Sequence, residues 1–351
     1  MAYTTINKST DYFNSVLYVG NGTAIGSGGK TVTGVGFQPD WVWGKARSGT
    51  DAVDNHVLTD AVRGATKYLK SNTTSSETTD TETLTSFTND GFTLGSNGQM
   101  NRNGNNCVAW NWKAGGAGSA NTDGSISSTV SANTTSGFSI VTFTGNSGTV
   151  GHGLGVKPNF IVVKSRQTGG SNNWVVTHSA LGTNMNDNYI ILNLTDAAGS
   201  GSNTWGGEPT TTTFTVSSGV AANDNNVAYC FAEKKGFSKF SSFVGNGNAD
   251  GTFIYTGFKP AMVICKKSSA SGTNWGIIDN KRANSFNVIS AMLNPNSNGT
   301  EGANNNCDFV SNGFKWRSSD ANSNASGDTY IYMAFAEAPL VGSNNVPCTA
   351  R

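Results

Sequence analysis

Apolar residues in this chain come in short runs, four to eight positions long, that are either alternating or continuous. Stretches rich in Gly, Asn, Ser and Thr separate them. Alternation at period two marks a strand with one face buried, and a short unbroken apolar run marks a strand covered on both faces. Val108–Trp112 (interrupted by Asn111), Val227–Phe231 and Ile331–Phe335 each read as an apolar strand. The pattern predicts an all-β protein with long polar loops. One stretch reads differently. In Asp60–Lys70, Val62, Ala65 and Leu69 fall at helical spacing behind an acidic N-cap residue, so a helix is expected there despite Gly64.

The runs recur in a fixed order. Gly, any residue, any residue, Pro, then an apolar run closing in Lys reads GFQPDWVWGK at Gly36–Lys45, GVKPNFIVVK at Gly155–Lys164 and GFKPAMVICK at Gly257–Lys266. Pro39, Pro158 and Pro260 are 119 and 102 residues apart, and Lys45, Lys164 and Lys266 each follow their proline by six. Gly-Asn turns precede each block at Gly20, Gly145 and Gly245. His56, Trp174 and Trp275 follow it in matching contexts, and an apolar closing run ends each unit. This predicts three tandem repeats of about 100 residues, each a β-sandwich or jelly-roll-like unit. They are expected at 1–115 with an N-terminal arm, 137–236 and 237–338. A Gly/Ser/Thr linker is expected at 116–136 and a polar tail at 339–351. The two ends are expected to fray or to dock on a neighbouring subunit.

Composition narrows the function. Charged residues are only 13% of the 351, with 23 Lys+Arg against 22 Asp+Glu and a net charge of +1. Phosphate neutralisation needs clustered Lys and Arg, so nucleic acid is not an expected partner. No apolar window is long enough to span a membrane as a helix, and MAYTTINKST does not read as a secretory signal. Five cysteines without C-x-x-C spacing suggest buried reduced thiols made in a reducing cytoplasm.

Candidate chemistry is sparse. Asp54, His56 and Asp60 lie close together, but His56 occupies the place of Trp174 and Trp275, and Asp60 that of His178 and Asp279, so packing roles are expected. His152 stands in a Gly-rich loop without a ligand partner. Glu77, Asp80 and Glu82 read as a solvated loop, and Asn184–Asn188 and Asn223–Asn226 as oxygen-rich turns. Gly26–Lys30 lacks phosphate-loop spacing. No catalytic residue, metal or cofactor is assigned. Trp41, Trp43, Trp110 and Trp112 read as strand faces and Trp316 as core. Trp174 and Trp275, like the three prolines and lysines, are expected to be structural. The lysines are read as charges that block pairing at an edge strand, with Arg47 and Arg166 two residues on. Trp205, in a loop without a counterpart, is the one candidate for an exposed contact.

MAYTTINKSTDYFNSVLYVGNG, GVGFQPDWVWGKARSG, DAVRGATKYL, TSFTNDGFTLGSNG and the closing strand resemble a repeat of virion proteins from marine phages, cyanophages among them, often described as tail fibres or structural proteins. The resemblance spans most of the chain and is densest in the first unit. It implies a particle component located in the virion, with other virion proteins as partners and no catalytic residues to carry over. The expectation is a tail fibre or tail-associated adhesin, homo-oligomeric and touching a host glycan or protein. A capsid decoration or head-fibre protein is the alternative, and a glycan depolymerase a minor one.

Overall fold

A strand that is apolar at every position needs cover on both faces, and the architecture supplies it twice over. The structure, a computed structural model, describes residues 2–49, 54–167, 172–282, 287–303 and 306–348. It is almost wholly β and antiparallel. Among the described residues, helix is limited to Gly98–Asn101 and two 3-10 turns, and no helix is long and apolar enough to cross a membrane.

Three larger sheets carry the closing runs. In the first the order is Phe13–Val19, Asn106–Trp112, Trp41–Ser48, Val57–Asp60, Lys67–Lys70 and Thr78–Thr79. The second repeats that order as Phe138–Thr144, Asn225–Phe231, Phe160–Ser165, Val175–His178, Asn188–Ile191 and Gly199–Ser200. The third has Ser238–Val244, Thr329–Pro339, Phe258–Lys267 and Gly276–Asp279. Register matches too: Trp41 faces Trp112, Phe160 faces Phe231, and Met262 faces Phe335. Each larger sheet has a smaller companion, built around Gly91–Leu94, Thr213–Val216 and Gly313–Trp316.

Because side chains alternate along a strand, each closing run feeds two cores. Ala109, Ala228 with Cys230, and Tyr330 with Tyr332 pack against the companion sheets in three separate clusters. Val108, Trp110 and Trp112 point the other way, as do Val227, Tyr229 and Phe231, and Ile331, Met333 and Phe335. All nine meet in one shared core between the three larger sheets. Trp112, Phe231 and Phe335 touch one another there, with ring centroids 6.3, 5.5 and 5.7 Å apart.

Four expectations change. Asp60–Lys70 is not a helix. Asp60 Oδ1 accepts from the Val62 and Arg63 amides, Gly64 and Thr66 take φ of 96° and 70°, and the chain reverses into strand Lys67–Lys70. Positive φ at both residues is incompatible with a right-handed helix. The 116–136 segment is not a free linker, since Ser119–Asn121 and Ser128–Asn133 extend the second sheet beyond Phe138–Thr144. Its small Ser, Thr and Ala residues suit a strand whose ladder bonds, rather than its side chains, hold it. The recurrent lysines are not on edge strands, because Trp41–Ser48, Phe160–Ser165 and Phe258–Lys267 are each paired on both sides. The ends dock on their own chain. Ile6 enters the shared core, Tyr3 donates to the Gly257 carbonyl, and Asn7 bonds Ser343.

Candidate functional site

Charge placed inside an apolar shell must be paired, and the pairs here join one sheet to the next. Asp60 and Arg63, both with buried side chains, bind each other. The Tyr229 hydroxyl donates to Asp60 at 2.8 Å, and Arg63 reaches Glu77, which Arg166 clamps bidentately at 2.8 and 2.9 Å. The same set recurs between the third and first sheets. Arg282 binds Asp279 at 2.6 Å, Trp110 Nε1 donates to Asp279 at 2.9 Å, and Glu301 is held by Arg282 and by both ends of the Arg47 fork. Between second and third sheets the pair is replaced. His178 Nε2 lies 3.0 Å from the Tyr332 carbonyl and Leu181 enters the shared core. Burial pulls His178 down to about 4, with that carbonyl opposing, so the ring is neutral at pH 7.

Backbone bonds follow the same cyclic order. The Glu77 amide donates to Arg166 O, Ala198 to Ser268 O, and Glu301 to Arg47 O. Trp174 Nε1 donates to Lys70 O and Trp275 Nε1 to Ile191 O. His56 takes the third such place: it accepts from Trp43 Nε1 at 2.9 Å, and the Asn294 backbone lies against it. Its burial, with Lys45 and Arg282 nearby, keeps it far below its ordinary pKa. Lys164 donates to Thr74 O and Asn172 O, and Lys266 to Thr195 O and Lys267 O, while Lys45 donates to Ala46 O. Burial is the main cause that lowers all three lysines to about 8.

The sequence-level candidates for catalysis are therefore dispersed among structural contacts. Asp54 pairs with Arg102, His56 with Trp43, and Asp60 with Arg63. Glu77 is no solvated loop residue but the clamp between two sheets. Asp80 accepts from the Glu82 amide and from Asn97, and Glu82 from the Ile25 and Ser96 amides. The Ile25 bond ties the 3-10 turn Ile25–Ser27, at the head of the Gly26–Lys30 stretch, to Glu82. Asn184 caps Asp187, and Asn226 ties the turn at Gly145 and Ala222. His152 accepts from the Leu154 amide within its own loop. Among the described residues no three His, Cys, Asp or Glu stand together as a metal site. The Asp-x-x-Arg spacing at 60/63 and 279/282 is the sequence signal that marks two of these junctions.

Trp205 is buried, 2% exposed, and packs in the core of the second sheet pair with Val220 and Ala221. It is no exposed contact. Its loop, however, borders a cleft in the surface. That cleft of about 750 Å³ lies beside the second larger sheet and is lined by Asn173, Tyr189, Asp196, Ser200, Asn203 and Ser218 among others. Asn203 sits at φ 61°, its amide bound to Asp187, and Ser217 Oγ donates to the Thr204 carbonyl, so both rims are tied down.

A family model described as a domain of unknown function (DUF7483) matches residues 8–339. No curated protein and no solved structure matches the chain.

Proposed function

We propose that this chain, which belongs to the DUF7483 family, is a structural component of a phage particle, built as three copies of one unit closed into a ring. It acts as a tail fibre or tail-associated adhesin that meets the host surface without covalent chemistry. The observation that carries the reading is the closure. First binds second through Asp60–Tyr229, second binds third through His178–Tyr332, and third returns to first through Asp279–Trp110. A head-to-tail contact that closes after three steps is what a cyclic trimer uses, here made by one polypeptide. Such a ring suits a rigid particle module, with loops on its outside free to vary. The resemblance of the Gly36–Lys45 block and its flanks to marine-phage virion repeats points the same way. Four buried free thiols suit synthesis in a reducing host cytoplasm before incorporation into the virion.

The ring uses its own head-to-tail surfaces internally. Contacts with further copies or with other virion proteins then fall on outer features, such as Phe253 and Tyr255, exposed on the strand Phe253–Tyr255 at the edge of its small sheet. Gold-labelled antibody against the chain, applied to intact particles, tests the reading by electron microscopy. Label on the tail is expected. Label over the capsid would make this a decoration or head-fibre protein, and unlabelled particles would remove it from the virion. Asp60 and Glu77, two of the carboxylates a depolymerase could use, are held by Arg63 and Arg166, which supports glycan binding over cleavage as the reading.

A further inference from the structure

One register position separates the second unit from the other two. Tyr68, Tyr189 and Met292 stand at matching points, opposite Thr78, Gly199 and the Gly302 bridge respectively. Tyr68 is buried, and its hydroxyl accepts from Gln99 Nε2 at 3.0 Å. Gln99 lies on the short helix Gly98–Asn101, in the loop 95–105 that covers the sheet there. Met292 is also buried. In the second unit the corresponding loop is 217–224, three residues shorter than 95–105, and it carries no helix. Tyr189 is only partly buried, and the cleft of about 750 Å³ opens over it.

The cleft is built in detail. Tyr189 lies against Gly199, where any Cβ would fall 2.4 Å from the ring carbon Cζ. Glycine opposite an aromatic is what lets the ring lie flat along its sheet. Around it stand the amides of Asn173 and Asn203 and the hydroxyls of Ser200 and Ser218, with Asp196 the one charge among the described lining residues. Asn173 Oδ1 already accepts from Asn193, which fixes its plane and leaves its own amide hydrogens free of that bond. The volume falls within the roughly 300–1,000 Å³ usual for ligand sites.

We infer that this cleft binds a neutral oligosaccharide, with a sugar ring on Tyr189 and its hydroxyls shared among Asn173, Asn203, Ser200 and Asp196. The chemistry selects that class. Amides and hydroxyls both donate and accept, as sugar hydroxyls do. A lone carboxylate accepts from hydroxyls but repels sialate, uronate or phosphate, and no lysine or arginine stands among the described lining residues to offset it. An aromatic face in a polar setting offers the apolar surface that the C–H face of a pyranose matches.

The inference rests on the adhesin reading, and the test separates the two. Purified full-length chain is applied to a panel of neutral, uronate-bearing and sialylated trisaccharides, and the best neutral member is titrated by calorimetry. Saturable binding to neutral members is expected, at least about tenfold weaker in Tyr189→Ala and within about threefold in Tyr189→Phe, which keeps the ring. Gly199→Ala, which drives a Cβ into that ring, should also weaken binding, with circular dichroism and melting curves showing that each variant is folded. Silence across the neutral members, a preference for the acidic ones, or binding indifferent to Tyr189→Ala would overturn the inference. Tail labelling with no sugar binding would sink the cleft and keep the adhesin. Sugar binding by a chain missing from particles would do the reverse.

Discussion

Arg63→Met is the sharpest test of the dry junctions. Asp60 and Arg63 have fully buried side chains, and Arg63 is the only cation that touches Asp60 among its described partners. Removing it leaves Asp60 with the Val62 and Arg63 amides and the Tyr229 hydroxyl as donors but no countercharge. Stripping one partner from a buried pair costs about 3–5 kcal/mol, while replacing both with fitting uncharged groups is often neutral. The chain contains the second case already, because His178 and Leu181 occupy the positions of Asp60 and Arg63 at the next junction. Asp60→His with Arg63→Leu should therefore recover most of the loss. Urea unfolding followed by tryptophan fluorescence reads this directly, against a total stability of about 5–15 kcal/mol typical of folded proteins. A loss below about 1 kcal/mol for Arg63→Met, or a double variant weaker than the single one, would refute the claim that the junction is dry and paired.

Three further outcomes follow from burial. Trp205→Ala should cost about 3–5 kcal/mol as a core truncation, seen as a lower melting temperature; a change in binding with no change in stability would return Trp205 to the surface. Lys164 holds a pKa near 8 when folded against about 10.5 unfolded, so above pH 8 the unfolded chain binds more protons and the lysine's burial becomes less unfavourable. Wild type should accordingly gain on Lys164→Met between pH 8 and 10.5, by at most about 1.4 kcal/mol per pH unit; parallel stability–pH curves would contradict it. Buried Cys107, Cys230 and Cys265 are all raised by desolvation, whereas Cys348 is exposed. A thiol reagent should therefore titrate one cysteine in the native chain and the rest only on unfolding, and fast reaction of several would break the assignment.

Period and punctuation made the strands readable. The Gly36–Lys45 block and its two counterparts read as strands, as does the apolar Val227–Phe231 run, and all of them lie inside their sheets. What they could not convey was which second surface covers these strands. A sequence shows that Tyr229 is buried but not that its hydroxyl ends on Asp60, 169 positions away. The settings of Lys45, Lys164 and Lys266 are hidden from the sequence for the same reason. A lysine closing an apolar run looks like an edge guard until the neighbouring sheet brings carbonyls such as Thr74 O to its ammonium. The Asp60–Lys70 stretch misled because Asp60 offers its carboxylate equally to a helix start and to a tight turn, and only Gly64 and Thr66 at positive φ decide between them.

The cleft was hidden by a subtler cause. Its lining comes from segments that are individually polar and irregular, and Trp205, the residue that stood out, is the wedge beneath the loop rather than the contact above it. The informative signal was a difference between aligned units: eleven residues from 95 to 105 against eight from 217 to 224, with a tyrosine retained under both. In a repeat protein the shared positions carry the scaffold, because all three junctions need them. A departure confined to one of the matching sheets is free of that constraint, and a shortened loop over a tyrosine kept on the sheet is where a recognition surface can form without disturbing the contacts between sheets.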